Sequence, residues 1–328
     1  MSHNWTVGKI PDQTGRRAIL TGANSGIGFP AALELARHGA EVVVASRDPI
    51  KGEAAVSRIL REVPGARAEF RQIDLASLAS VRSFAERELA RDRPLDLLIN
   101  NAGVMAPPKR LETTDGFELQ FGTNVLGHFA LTGLLLPALD RAASDAAAGL
   151  PRDLAPDLPR VLPRVVMIAS IAHRRGALHF ADLQFRSGYS PMKSYQQSKL
   201  ADLMLAIEFD RRLRARGSRI LSVAAHPGVA NTNLFQAGDF GAMEKTVRGW
   251  FGHAIGTFLN SDVEGALPTL YAATSPDVQG GGYYGPQGLG ETRGGDVGPA
   301  KIARQAQDPD AAARLWQVCE ELTSVRML

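Results

Sequence analysis

Tyr195 and Lys199 stand four residues apart in the stretch SYQQSK, directly ahead of the apolar run LADLMLAIEF. On an α-helix that spacing puts both side chains on one face, one turn apart, so a phenol and an ammonium share a small volume. Such a pair either decorates a surface or takes part in proton chemistry.

A second constellation is suited to phosphate. The sequence TGANSGIG places Gly22, Gly26 and Gly28 where a β-branched run turns into a helix. Glycines there adopt backbone angles that other residues resist, and they let a pyrophosphate approach the positive end of the helix. Asn24, Ser25 and Ile27 line the same turn, and Pro30 suits a first helical turn that has no use for its missing N–H. The next apolar run ends VVVASRD, and NAD-preferring proteins present an acid for the ribose 2′-hydroxyl at such a point. Ser46 and Arg47 occupy the place instead, and a hydroxyl with a cation suits a 2′-phosphate. NADP is therefore the expected cofactor over NAD, with Asp48 one or two residues too late to serve as the ribose acid.

These groups need a scaffold that brings strand ends together. Strands are expected at 17–22, 41–46, 68–74, 95–103, 164–170, 220–228 and, more weakly, 281–286, alternating with helical segments at 27–38, 49–62, 77–91, 114–139, 194–216 and 262–274. Near-continuous apolar strands separated by helices imply burial on both faces: one α/β domain over residues 1–328, a doubly wound parallel sheet of about seven strands. Residues 144–164 carry four prolines and read as a surface insertion. Residues 229–261 combine glycines with Phe235, Phe240, Met243, Trp250, Phe251 and Phe258, as expected of a lid over a ligand pocket.

Composition narrows the classes. With 45% hydrophobic and 22% charged residues, the 328-residue chain is long and apolar enough for one large core. A charge of +3 is spread along the chain, and the Arg211–Arg216 cluster reads as a solvated helix end, which argues against nucleic acid. One cysteine, Cys319, allows no intrachain disulfide. The first residues lack an apolar signal core, and runs such as LTGLLLPAL are short for a membrane span, so a soluble cytoplasmic protein with no membrane anchor is expected. His128, His173 and His226 show no convincing metal-ligand spacing and read as neutral bystanders; no metal is expected.

TGANSGIG, NNAG at 100–103, Ser170, YQQSK and HPGVANT at 226–232 together resemble the short-chain dehydrogenases/reductases, in the family's order and spacing over roughly residues 15–290. SRD after the second strand, YQQSKLA, HPGVANTNL and YYGPQGLGE most resemble the branch of retinol dehydrogenases and their soluble bacterial relatives. The resemblance implies that Tyr195 is the proton donor in carbonyl reduction and the acceptor in alcohol oxidation. A free phenol ionises near pH about 10 and a neighbouring ammonium favours its anion, so Lys199 would serve both Tyr195 and the nicotinamide ribose hydroxyls. Ser170 would bond the substrate oxygen. Asn124, in FGTNVLGHF, would anchor a water between Lys199 and solvent. Asp74 and Leu75 would meet the adenine, with a helix cap the other reading of Asp74; Asn101, Ala102 and Gly103 would pass beneath its ribose; and Pro227, Gly228 and Thr232 would fix the nicotinamide and pyrophosphate.

The expected reaction is NADP(H)-dependent interconversion of a ketone or aldehyde with its alcohol, on a small-molecule substrate that the lid's aromatic content suggests is lipophilic. Rival readings are an NAD-dependent alcohol dehydrogenase, a sugar-nucleotide epimerase or dehydratase, a light-dependent tetrapyrrole reductase and a non-catalytic NADP-binding sensor or scaffold. The epimerase class favours a different glycine spacing, the tetrapyrrole reductase needs cysteines near its motifs, and sensors tend to lose the serine, tyrosine or lysine present here. The helices at 114–139 and 194–216 carry more apolar surface than one sheet face needs, which either a two-fold homodimer or plain core packing would absorb.

Overall fold

The computed structural model describes residues 5–147, 162–228, 261–292, 294 and 296–328. The strands are β1 Arg17–Thr21, β2 Glu41–Ser46, β3 Arg67–Gln72, β4 Leu97–Asn100, β5 Arg164–Ile168, β6 Leu221–Ala225, β7 Tyr283–Pro286 and β8 Val297–Pro299. The helices are α1 Gly28–Arg37, α2 Pro49–Glu62, α3 Leu78–Leu89, α4 Gly127–Ala147, α5 Pro191–Ala215, α6 Asp262–Thr274 and α7 Pro309–Thr323.

The strands form one 8-stranded sheet in the order β3-β2-β1-β4-β5-β6-β7-β8. Neighbours from β3 through β7 are parallel, and β8 runs antiparallel against β7. Eight strands replace the expected seven because β8 is only three residues, VGP, with too little apolar pattern to stand out. Alternate side chains serve opposite faces: Leu20, Val42 and Val44 pack with α1, α2 and α6, while Ile19, Val43 and Leu98 pack with α3, α4 and α5. This is the doubly wound arrangement, and its order reverses between β1 and β4, where such sheets open a crevice at their carboxyl ends.

Two boundaries differ for local reasons. The expected strand 95–103 stops at Asn100, because the next amide turns aside and Asn101 N donates to Thr21 Oγ1 at 2.9 Å. The expected helix 114–139 begins instead as a π-helical turn, Phe121–Leu126, before α4; Gly116, at φ 83°, makes a turn ahead of it. Of the proline-rich segment, residues 144–147 close α4 and residues 148–161 lie outside the described residues, as do 229–260 of the expected lid. Ser261 is the N-cap of α6, in a reciprocal capping box with Glu264.

The C-terminal helix α7 is absent from the segments read off the sequence, although Asp308 followed by Pro309 is a helix-start signal and Leu315, Trp316 and Cys319 share one face. It packs outside α4 and α5. Trp316 meets Phe129 edge-on at 5.1 Å, lies 5.8 Å from Phe209, and carries the Arg212 guanidinium 4.5 Å over its ring. The segment after it brings Val325 and Met327 against Gly133. The outer faces of α4 and α5 are thus covered in part by α7 and the segment after it. Phe121–Ala147 is long and apolar enough to cross a membrane, unlike the shorter runs weighed in the sequence, but 83% of its most apolar window is buried inside the fold.

The Arg211–Arg216 cluster is, as expected, a charged helix end: Arg211 and Arg212 pair with Glu208, Arg214 with Asp210 and Arg216 with Asp140. Trp316→Ala is expected to lower unfolding free energy by about 3–5 kcal/mol in urea titration, whereas Ile50→Ala, at an exposed position, changes it by less than about 0.5 kcal/mol.

Candidate active site

The glycine turn is built for close approach. Gly22 has φ 67° and Gly26 φ 52°. A Cβ on Gly22 would lie 2.9 Å from Ala102 Cα, and one on Gly28 would lie 2.5 Å from Asn101 Nδ2 and 2.6 Å from the Gly22 carbonyl. Asp48, Ser77, Ser261 and Asp308 cap α2, α3, α6 and α7 with their side chains, but no side chain caps α1 or α5. A helix N-terminus left open behind a tight glycine turn fits a dinucleotide pyrophosphate, with Asn24, Ser25 and Ile27 in the same turn.

Thr21, the last residue of β1, ties this turn to the rest of the site. Its Oγ1 accepts from Asn101 N at 2.9 Å and Ala102 N at 3.0 Å, and Asn101 Nδ2 donates to Thr21 O at 2.8 Å. The carbonyl of Asn124 requires His128 Nδ1 to donate to it, at 2.9 Å, so His128 Nε2 accepts from Thr21 Oγ1, also at 2.9 Å. Asn124 is fully buried on the π-helical turn. Its Oδ1 accepts from Val104 N at 2.8 Å, and its Nδ2 donates to Val104 O and Ser198 Oγ, each at 3.0 Å. The Asn124 amide therefore clamps the loop after β4 to α5, both of its N–H groups being taken by protein oxygens. Ser198 Oγ in turn donates to Tyr195 O at 2.8 Å.

Tyr195 is 8% exposed and Lys199 5%. The two face one another inside the fold, with Nζ 6.0 Å from the phenol ring centroid. Lys199 Nζ donates to Ile168 O, at the carboxyl end of β5, and to Asp202 Oδ2, each at 2.8 Å. Asp202 went unmarked in the sequence; the only signal was an acid three residues after Lys199 within an apolar stretch. Burial opposes the Lys199 charge, but Asp202 and Tyr195 more than compensate and hold its pKa above the ordinary lysine value. Burial pushes Asp202 up to about 6 against the opposing pull of Lys199.

Ser170 lies two residues beyond Ile168. Its Oγ accepts from Ala172 N at 3.2 Å, capping the 3₁₀ turn Ile171–Arg175. His173 on that turn donates from Nδ1 to Ser170 O at 2.7 Å and accepts at Nε2 from Ala303 N at 3.2 Å. His226 Nδ1 accepts from Gly228 N at 3.1 Å, so the histidines read as bystanders brace the backbone beside Asn124, Ser170 and Gly228.

The remaining cofactor candidates divide. Arg47 is exposed at the end of β2 and makes no ion pair among the described residues. Ser46 is buried, and its hydroxyl donates to Asp48 O at 3.4 Å. Asp48 caps α2 by accepting from Lys51 N at 3.1 Å, which commits it to the helix rather than to a ribose. Asp74 accepts from Ala76 N at 3.0 Å in the turn before α3, whose cap is Ser77. The Leu75 carbonyl abuts Gly127, where a Cβ would come within 2.5 Å of it. Gly103 leads from Ala102 into the Val104 clamp, Pro227 and Gly228 follow β6 with Gly228 at φ 72°, and Thr232 lies outside the described residues.

Among known proteins, a family model described as short chain dehydrogenase matches residues 16–148. Polyprenol dehydrogenase of Mus musculus is 42% identical over 309 residues, covering 94% of this chain and 83% of that protein. The chain belongs to the short-chain dehydrogenase/reductase family, and within it to the retinol dehydrogenase-like branch. Retinol dehydrogenase 12 of Mus musculus is 36% identical over 314 residues, 95% of this chain and 87% of that protein. An uncharacterised protein from Mycobacterium paratuberculosis superposes with a TM-score of 0.76 at 38% identity, over 99% of both chains. An NADP complex of a short-chain dehydrogenase from Shigella flexneri, 21% identical with a TM-score of 0.60 over 84% of this chain and 98% of that one, shares the fold. Short-chain dehydrogenases/reductases are oxidoreductases that bind NAD(P), and the open end of α1 at the chain reversal suits that group.

The buried histidines give the fold a defined acid response. Burial holds His128 and His226 neutral and takes both down to about 3, against about 6.5 for a free imidazole. Between those values the unfolded chain binds protons that the folded chain refuses, so their stabilisation is complete above pH about 6.5 and is lost as pH falls toward about 3. Asp202, raised from 3.8 to about 6, acts oppositely between those two values and offsets part of the loss. Urea midpoints are expected to fall as pH drops from about 6.5 to about 4, and His128→Gln to flatten that slope while lowering stability at neutral pH.

Proposed function

We propose that this chain is an NADP(H)-dependent oxidoreductase that interconverts a ketone or aldehyde with the corresponding alcohol on a lipophilic substrate, with Tyr195 as the acid in reduction and the base in oxidation. The observation that carries the reading is the buried Tyr195–Lys199 pair, turned inward with Nζ 6.0 Å from the phenol ring and anchored at the carboxyl end of β5. The dinucleotide, when bound, supplies or accepts the hydride. The Tyr195 phenol gives its proton to the carbonyl oxygen in reduction and recovers it from the alcohol in oxidation. Ser170 Oγ donates a hydrogen bond to the same oxygen as charge develops there. An ammonium has three N–H groups, and Ile168 and Asp202 take two from Lys199, leaving one for the ribose hydroxyls.

Support for NADP over NAD comes from exposed Arg47 at the end of β2 together with the commitment of Asp48 to the cap of α2. Asp74, Leu75, Asn101, Ala102, Gly103, Pro227, Gly228 and Thr232 complete the proposed nucleotide crevice. The named substrates of the relatives, polyprenol and retinol, are both apolar isoprenoid alcohols, which supports a lipophilic substrate, as do the aromatic residues between 229 and 261. A single domain in which 229–261 covers the substrate belongs to the same proposal. So does a cytoplasmic location, which the buried, unpaired Cys319 supports.

A panel of retinoid, polyprenyl, steroid and small polar carbonyls and alcohols, followed by NADPH absorbance, tests the reading; turnover confined to sugars or hydroxy acids would contradict it. Tyr195→Phe should reduce kcat by a factor on the order of 10²–10⁴ with circular dichroism unchanged. Arg47→Ala should raise the KM for NADPH on the order of tenfold and leave that for NADH nearly unchanged; equal losses with both cofactors would remove the phosphate role.

A further inference from the structure

Asp202 sits in the apolar stretch of α5, flanked by the buried Leu200, Ala201, Leu203 and Met204. A carboxylate is costly to bury unless it is paired and hydrogen-bonded, and an apolar side chain would fill such a place more cheaply. Its Oδ2 accepts from Lys199 Nζ at 2.8 Å, the pair being 1% and 6% exposed at Asp202 and Lys199. Its Oδ1 is buried with no hydrogen-bond partner, so Lys199 is what the structure offers to offset that cost.

The titratable groups around the pair come from three elements. Tyr195 shares α5, His128 approaches Lys199 from α4, and Cys319 faces Asp202 from α7. His128 is held neutral by burial, and burial with the nearby Asp202 charge keeps the Cys319 thiol protonated. Neither neighbour can replace Asp202 as an anion beside Lys199. Without Asp202, the ammonium would keep only the Ile168 carbonyl dipole and the Tyr195 phenol beside it in a buried site, and burial favours the neutral amine.

We propose that Asp202 is a positioning residue of this site, the counter-ion that keeps the Lys199 ammonium charged and directed between the Ile168 carbonyl and the dinucleotide. This rests on the role given to Lys199 above. It makes the functional unit a Tyr195–Lys199–Asp202 relay along one helix, in which Asp202 acts through Lys199 and touches neither substrate nor cofactor.

Asp202→Asn keeps the shape and an oxygen acceptor but removes the charge. Nuclear magnetic resonance of lysine labelled at Cε reads the Lys199 titration directly, its signal among the seven lysines being assigned by its absence in Lys199→Met. The Lys199 midpoint is expected to fall by about one unit or more in Asp202→Asn. The alkaline limb of kcat for NADPH-dependent reduction of retinaldehyde should move down with it, with a loss approaching about tenfold per pH unit beyond the new midpoint. An unmoved midpoint, or a uniform loss of activity and thermal stability with the pH profile unshifted, would reduce Asp202 to a structural ion pair and overturn the proposal. Should Asp202→Asn fail to fold, the wild-type titration decides: Lys199 is expected to titrate at or above the other six lysines, and a midpoint below theirs would overturn the proposal. The lysine signal needs no turnover, so absence of turnover in the wild type would fail the active-site reading while the midpoint still judges the counter-ion.

Discussion

A positive charge held out of water organises this molecule. Lys199 lies between α5 and the end of β5, and its ammonium is tolerable there only because the Ile168 carbonyl and the Asp202 carboxylate both receive it. That requirement fixes the rotation of α5 about its axis and its height against β5. Tyr195, one turn earlier on the same face, is thereby placed with its ring centroid 6.0 Å from the ammonium. Burial of the pair also strengthens the influence of the cation on its surroundings, since few waters screen it.

The same polar logic joins the two halves of the site. Thr21, at the end of β1, takes up the amides of Asn101 and Ala102 and donates to His128; His128 donates to the Asn124 backbone; and the Asn124 amide clamps Val104 and Ser198. The chain thus runs from the glycine turn, across the reversal between β1 and β4, to the turn of α5 that carries Tyr195 and Lys199. A displacement at one end would leave a buried donor or acceptor unsatisfied at the other, which costs on the order of 1–3 kcal/mol per group. The glycine turn and the Tyr195–Lys199 face are consequently held in register by the buried groups of Thr21, His128 and Asn124.

Apolar packing shows a similar division of labour. The inner faces of α4 and α5 seal one side of the sheet, and their outer faces are sealed by α7 through Trp316, Leu315 and Cys319. The last twenty residues therefore belong to the core rather than trailing from it. They also bring Cys319 toward Asp202, so the interior behind Lys199 is closed by the C-terminal helix.

Periodicity, glycine placement and the YxxxK spacing were sufficient to read the parallel α/β fold, the glycine turn and the Tyr195–Lys199 face, because each depends on neighbours within a few residues. The order Ser46, Arg47, Asp48 after the second apolar run also put Arg47, and not the later Asp48, at the expected ribose position. What these signals could not supply was pairing between distant segments. The roles of Asn124 and His128, the inward turn of Ser46, the partnership of Asp202 with Lys199 and the docking of α7 all depend on which groups burial brings together. Local sequence determined backbone conformation and side-chain type; the tertiary structure decided which buried polar groups share partners, because hydrogen bonds and charges removed from water must be satisfied by whatever the fold places beside them.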